Sequence, residues 1–99
     1  MINITSDAYS ELKNMMDNRR DNTYGIRVFV KAVGWGGPIF GVSLDKKHEE
    51  DQESVEQGIP FYVDNGLVEY FKGFHIDFVS GWISKRFLIE PTERQMSSC

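Results

Sequence analysis

The sequence predicts an α+β domain, small and β-rich, in which mixed or antiparallel sheets pack with one longer N-terminal helix and one short helix. Three observations predict it. Apolar residues alternate at a period of two in "IRVFVK", "IFGVSLD" and "FHIDFV", the spacing that puts them on one face of a strand. Only the stretch after Thr5 repeats its apolar residues at helical spacing over three turns. Glycine, asparagine and proline punctuate the chain between these segments.

"INI" (2–4) opens the chain as a short strand. Thr5 or Ser6 can accept the free amides of a helix start, and Asp7 suits the positive end of the first turn. Ala8, Leu12, Met15 and Met16 form the buried stripe of that helix, Tyr9 flanks it, and the methionines serve as core filler. "DNRRDN" ends the helix. In "YGIRVFVKAV", Ile26, Val28 and Val30 share one face and Arg27, Phe29 and Lys31 the other. "IFGVSLD" places Phe40, Val42 and Leu44 together, so the two strands can pair as a ribbon. "KKHEEDQESVEQG" reads as a polar, solvated loop with at most a turn of helix. "IPFYVD" is a strand whose Pro60, lacking an amide, belongs at an edge, a start or a bulge. "NGLVEYFKG" reads as the short helix, capped by Asn65 and ended by Gly73. "FHIDFVSGWISKRFLIEP" gives two strands broken near Ser80 and Gly81, with Phe74, Ile76 and Phe78 on one face. The expected division is a domain over 1–91 and a flexible C-terminal tail over 92–99.

Composition narrows the function. Aromatic residues reach 13%, which excludes a disordered chain. The net charge is -4 and no basic cluster exceeds two or three residues, so neither nucleic acid nor an anionic membrane is expected as a partner. A basic patch can arise only by folding, from the scattered Lys31, Lys46, Lys47, Lys72, Lys85 and Arg86. The single cysteine, Cys99, cannot form an internal disulfide, and no signal peptide or long apolar run is visible. The expectation is a small, acidic, cytoplasmic protein, with a homodimer allowed by its modest core.

The segment "VGWGGPIFG" (33–41) concentrates glycine around Trp35. It lacks the Lys-Ser/Thr of a triphosphate-binding loop and the strand-to-helix setting of a dinucleotide fingerprint. It reads as a tight, bulged turn in which glycine supplies positive φ and Trp35 covers an apolar edge. Gly34, Trp35, Gly36 and Gly37 are the candidate ligand or partner surface. "HEED" (48–51) offers hard-metal ligands, but adjacent loop side chains rarely converge, so it reads as a solvated charge run. His75 and Asp77 share one strand face and form the one candidate acid–base pair. No nucleophile stands beside them at diagnostic spacing, so no catalytic residue is assigned and no enzyme is expected. Cys99 alone cannot hold a zinc or iron–sulfur centre, which needs several ligands.

Taken in order, "IRVFVKAVGWGGPIFG", "LDKKHEEDQ", "GIPFYVDNGLVEYFKGFHIDFV" and "FLIEP" resemble the HesB/IscA family of A-type iron–sulfur cluster assembly proteins, from the first helix through Pro91. The resemblance implies a small β-rich domain with strands around a helix. It implies iron or an iron–sulfur cluster as cargo, bound usually across a dimer and handed to apo-proteins. In the family three cysteines hold the cluster, one in a glycine turn like Gly-Cys-Ser-Gly and two in a Cys-Gly-Cys tail. Here Trp35 stands at the first position, Ser97 at the second and Cys99 at the third. An indole offers only an N–H donor, and a serine hydroxyl does not deprotonate readily. The resemblance therefore points to a divergent member lacking the usual ligand set, with iron–sulfur assembly or client proteins as partners. The alternative is a non-enzymatic binding module that uses a cleft near Trp35 for a peptide or small organic ligand.

Overall fold

The computed structural model describes residues 2–92. In chain order its elements are β1 (Ile2–Ile4), α1 (Ser6–Asp17), β2 (Tyr24–Gly34), β3 (Gly37–Lys46), β4 (Asp51–Glu56), β5 (Ile59–Asp64), α2 (Asn65–Tyr70), β6 (Phe74–Ser80) and β7 (Lys85–Pro91). The α+β class, the longer N-terminal helix and the short second one agree with the sequence reading.

The strands form two sheets. One has the order β1-β6-β7, with β1 parallel to β6 and β7 antiparallel to it. The other has the order β3-β2-β5-β4, with β2 parallel to β5 and the remaining pairs antiparallel. Edge strand β3 lies against edge strand β7, and β1 approaches β4. Helix α1 packs on β6 and β2 and so closes the space between the sheets. The core lies there. Phe61, Phe74, Leu12, Ile26, Ile76 and Val28 are its most completely buried large side chains. Each such side chain contributes about 1.5–3 kcal/mol by leaving water.

Helix α1 forms where the sequence places it. Thr5 is the N-cap, with extended backbone, and its Oγ1 accepts the Ala8 N–H at 3.1 Å. Ala8, Leu12 and Met16 are buried, and Met15 and Tyr9 pack at the margin of the core.

Three expectations about this scaffold are corrected, one being the end of the short helix, which closes at Tyr70 with Phe71 as its C-cap and not at Gly73. The polar run after Lys46 is not only a loop, because Asp51–Glu56 is strand β4. It pairs with β5 through a two-residue connection, Gln57–Gly58, between the partners Glu56 and Ile59. Both connecting residues have positive φ, 51° and 81°, as a type I′ hairpin turn requires. A strand at the sheet edge needs one paired side and little apolar burial, so its alternation carries charge instead of hydrophobic signal, and that charge guards the edge. The cap of α2 is Asp64, not Asn65. Asp64 has the extended backbone of a cap, and its carboxylate accepts the Gly66 N–H at 2.8 Å. Asn65 is already helical, with its N–H donated to the Glu50 carbonyl at 2.8 Å.

Candidate functional site

Strands β2 and β3 pair continuously from Tyr24 and Lys46 at the root to Gly34 and Gly37 at the tip, and Trp35–Gly36 connects them. A bulge between Val30 and Ala32 leaves Lys31 without an opposite residue, so the bulge lies in the strand before the turn. At the turn the positive φ falls on Gly37, at 110°, where a residue with a Cβ would be strained. A Cβ at Gly36 would meet nothing.

The tip is apolar and open. Trp35 is 107% exposed and Val33 79%. The expectation that Trp35 folds back over an apolar edge is therefore corrected. The two-residue turn leaves no chain for the ring to fold onto, and the hairpin carries it beyond the sheets. A groove does form on this hairpin, between β3 and the start of β7, but Trp35 is not among its walls.

The end of β7 lies near the same hairpin. Pro91 pairs with Phe74, and the Thr92 N–H donates to the Gly73 carbonyl at 3.0 Å. The Phe74 ring lies 5.0 Å edge-on to Phe40, three residues from the turn glycine, and Phe71 joins the same cluster. The start of β6, which pairs with the end of β7, and the hairpin thus share one aromatic cluster. Ser97 and Cys99 lie outside the described residues.

The hairpin tip itself offers none of the donors an iron–sulfur cluster takes. The turn Gly34-Trp35-Gly36-Gly37 carries no thiol, carboxylate or imidazole, and the chain has one cysteine in all. Among the described residues no group of three His, Cys, Asp or Glu side chains converges to hold a metal.

The charged run at 48–51 behaves differently from its reading as a solvated stretch. Glu49 and Glu50 are exposed, but the Asp51 side chain is only 1% exposed. Arg27, from β2, meets both Asp51 oxygens, Nη1 to Oδ1 at 2.8 Å and Nη2 to Oδ2. Its Nε donates to Asp45 at 2.6 Å. The His48 N–H adds a bond to Asp51 at 2.6 Å. The hydrogen bonds from Arg27 outweigh the opposing effect of burial and hold the Asp51 carboxyl down at about 2. Sequence reasoning missed this pairing. Its only signal was an arginine set between the apolar Ile26 and Val28 of the strand. Arg27 and Asp45 also border a broad cleft of about 520 Å³ beneath α2, with Phe29, His48, Leu67 and Tyr70.

His75 and Asp77 do lie on one face of β6, but no hydrogen bond joins them. Asp77 Oδ1 accepts the Thr5 hydroxyl and the Phe78 N–H, each at 2.8 Å. The Thr5 hydroxyl is the main cause of its lowered pKa, with His75 contributing only a weak attraction. Asp77 thereby ties the α1 cap to β6, and Asp64 caps α2. Both hold element ends.

Among the described residues no helix is long and apolar enough to cross a membrane.

No protein-family model matches the chain. Over 90 residues it is 30% identical to the iron-sulfur cluster insertion protein ErpA of Shewanella halifaxensis, covering 90% of this chain and 78% of that one. The crystal structure of IscA with a 2Fe-2S cluster superposes with a TM-score of 0.77 at 19% identity, covering 93% of this chain and 86% of that one. Escherichia coli SufA, involved in biosynthesis of iron-sulfur clusters, gives a TM-score of 0.69 at 22% identity, covering 99% and 85%. At these identities the two structures speak for the fold.

Proposed function

This chain belongs to the HesB/IscA-like family of iron–sulfur cluster biogenesis proteins, and we propose that within it the protein serves cluster assembly without being a standard cluster carrier. One observation carries the reading. The residue at the hairpin tip, where the family resemblance places a cysteine, is Trp35, exposed on a turn with no other donor. Iron held as a cluster takes soft anionic thiolates, and an indole supplies neither a lone pair nor a negative charge. Cys99 contributes one thiol per chain, which is insufficient alone and leaves even a homodimer two ligands short of four.

The tip suits a protein contact in place of a ligand bond. Tryptophan is the side chain most enriched where a few residues dominate an interface. Val33 and Ile39, also exposed, extend its apolar surface down the hairpin. On this reading the chain works in the cytoplasm through Trp35 and the glycines around it. It contacts assembly or client proteins and catalyses nothing itself.

Anaerobic incubation of the purified protein with ferrous iron and sulfide tests this. The expected result is no protein-bound sulfur-to-iron charge-transfer absorption, in the natural chain or in Cys99→Ser. Trp35→Cys restores a thiol at the tip and is expected to increase cluster loading. A stable visible chromophore co-eluting with the natural chain would overturn the proposal.

A further inference from the structure

Edge strands β3 and β7 belong to different sheets, and each pairs on one side only. Between them runs a groove of about 320 Å³. Phe29, Phe40 and Phe87 supply its apolar surface, and Lys31, Lys85 and Arg86 its charge. Among the described residues no acidic one lines it. The Phe29 ring lies directly over its cross-strand partner Gly41, where a Cβ would come within 3.1 Å of the ring. On the β7 side, Phe87 is held edge-on to Phe78 at 4.9 Å. The Phe29 and Phe87 rings are thus packed in place in the same groove as the three cationic side chains.

The charge is the informative part. Lys31, Lys85 and Arg86 come from the β2 bulge and the start of β7, and folding brings them to one groove. None of the three makes an ion pair among the described residues, whereas Lys13 and Arg27 do. The chain as a whole is at -4. Glu53 and Glu56 sit on β4, at the far edge of the larger sheet. A net acidic protein therefore presents a groove whose described lining sets three cations and no acid beside aromatic rings, with Lys85 also bordering a second cleft that Asp7 and Glu11 line.

We infer that the groove between β3 and β7 docks an acidic segment of a partner protein, an extended stretch with Asp or Glu flanking an aromatic or aliphatic anchor. The carboxylates meet the three cations, and the anchor covers the phenylalanines. The unpaired edges of β3 and β7 offer backbone groups to an extended chain. A nucleic acid is the poorer fit. Tracking a phosphate backbone needs a longer cationic stripe than three side chains in one groove. The inference stands on the groove alone and does not depend on whether the protein handles iron.

The test is a titration of the ¹⁵N-labelled full chain with an acidic dodecapeptide, glutamates and aspartates around a central Phe and Leu, followed by amide chemical shifts. The expected shifts centre on Lys31, Gly41, Val42 and Lys85 to Phe87. Affinity is expected to fall several-fold between about 50 and about 300 mM NaCl, as screening shortens the reach of the cations. It should fall about tenfold or more in Lys85→Glu/Arg86→Glu, and in part in Lys31→Ala on the opposite wall, a tenfold change being about 1.4 kcal/mol. The same charge reversal at Lys46 and Lys47, outside the groove, is expected to leave most of the binding. The spectra themselves report whether each variant is folded. No binding at millimolar peptide, shifts centred elsewhere, or equal binding of the glutamine and asparagine analogue of the peptide would each overturn the inference. So would tighter binding of a single-stranded oligonucleotide to the same residues, or concentration-dependent shifts without peptide that place a second copy in the groove.

Discussion

The root and the tip of the β2–β3 hairpin are built from the same two strands, yet they have opposite fates. At the root, Ile26 and Val28 are buried beneath α1 and beside β5, and Arg27 is clamped by two aspartates. At the tip, Val33, Ile39 and Trp35 stand in solvent. The crossover comes at Val30, on the same face as Ile26 and Val28 but 41% exposed. Local sequence does not separate the two halves. What lies opposite them does, because β5 pairs with β2 only from Ile26 to Val28. Stability is concentrated in the root, and the apolar surface left free for contact is concentrated in the tip.

Mutations at the two ends should therefore divide cleanly. The largest effect is expected from Phe61→Ala. Phe61 is fully buried and pairs with Ile26, and the cavity should cost about 3–5 kcal/mol in urea unfolding. A loss under about 1 kcal/mol would mean that the root is not the anchor of the sheet.

Asp51→Ala comes next, at about 3 kcal/mol, since it leaves the largely buried Arg27 with only Asp45 as a carboxylate partner. The pair also sets a pH dependence. The folded Asp51 carboxyl titrates near 2, below its ordinary value of 3.8, so its contribution is present above about pH 4 and is lost as pH falls towards 2. Asp51→Asn should flatten that part of the stability–pH curve. An unchanged slope would assign the acid sensitivity to other carboxylates.

Thr5→Val removes both the cap of α1 and the hydroxyl bound to Asp77, and should cost about 1 kcal/mol. The smallest effect is expected from Trp35→Ser, within about 0.5 kcal/mol, together with loss of whatever partner contact the tip makes. Both tryptophans, Trp35 and Trp82, are fully exposed, so the emission of the folded protein should already be that of a solvated indole and shift little on unfolding. A blue-shifted native spectrum that red-shifts on denaturation would show that a tip is covered in solution.

Much of the scaffold was legible because it follows short-range rules. The stripe Ala8, Leu12 and Met16, the alternation of Phe74 and Ile76, and the glycine turn after β2 each express a period or a backbone requirement carried by adjacent residues. Strand β4 was not legible. Its neighbour β5 supplies the pairing, and its own residues are the polar ones an edge tolerates. The cap of α2 was displaced by one residue because asparagine and aspartate are both good caps, and only backbone geometry separates Asp64 from Asn65.

By itself the sequence determined the element types, the family resemblance and the identity of the residue at the hairpin tip. All three are properties of residue type and local order. Only the tertiary structure decided that Asp51 is buried against Arg27, 24 residues away, that Trp35 covers nothing, and that Lys31, Lys85 and Arg86 share one groove. Each is a question of what stands opposite a side chain. That depends on sheet order and on how two sheets meet at their edges, which residue periodicity does not encode.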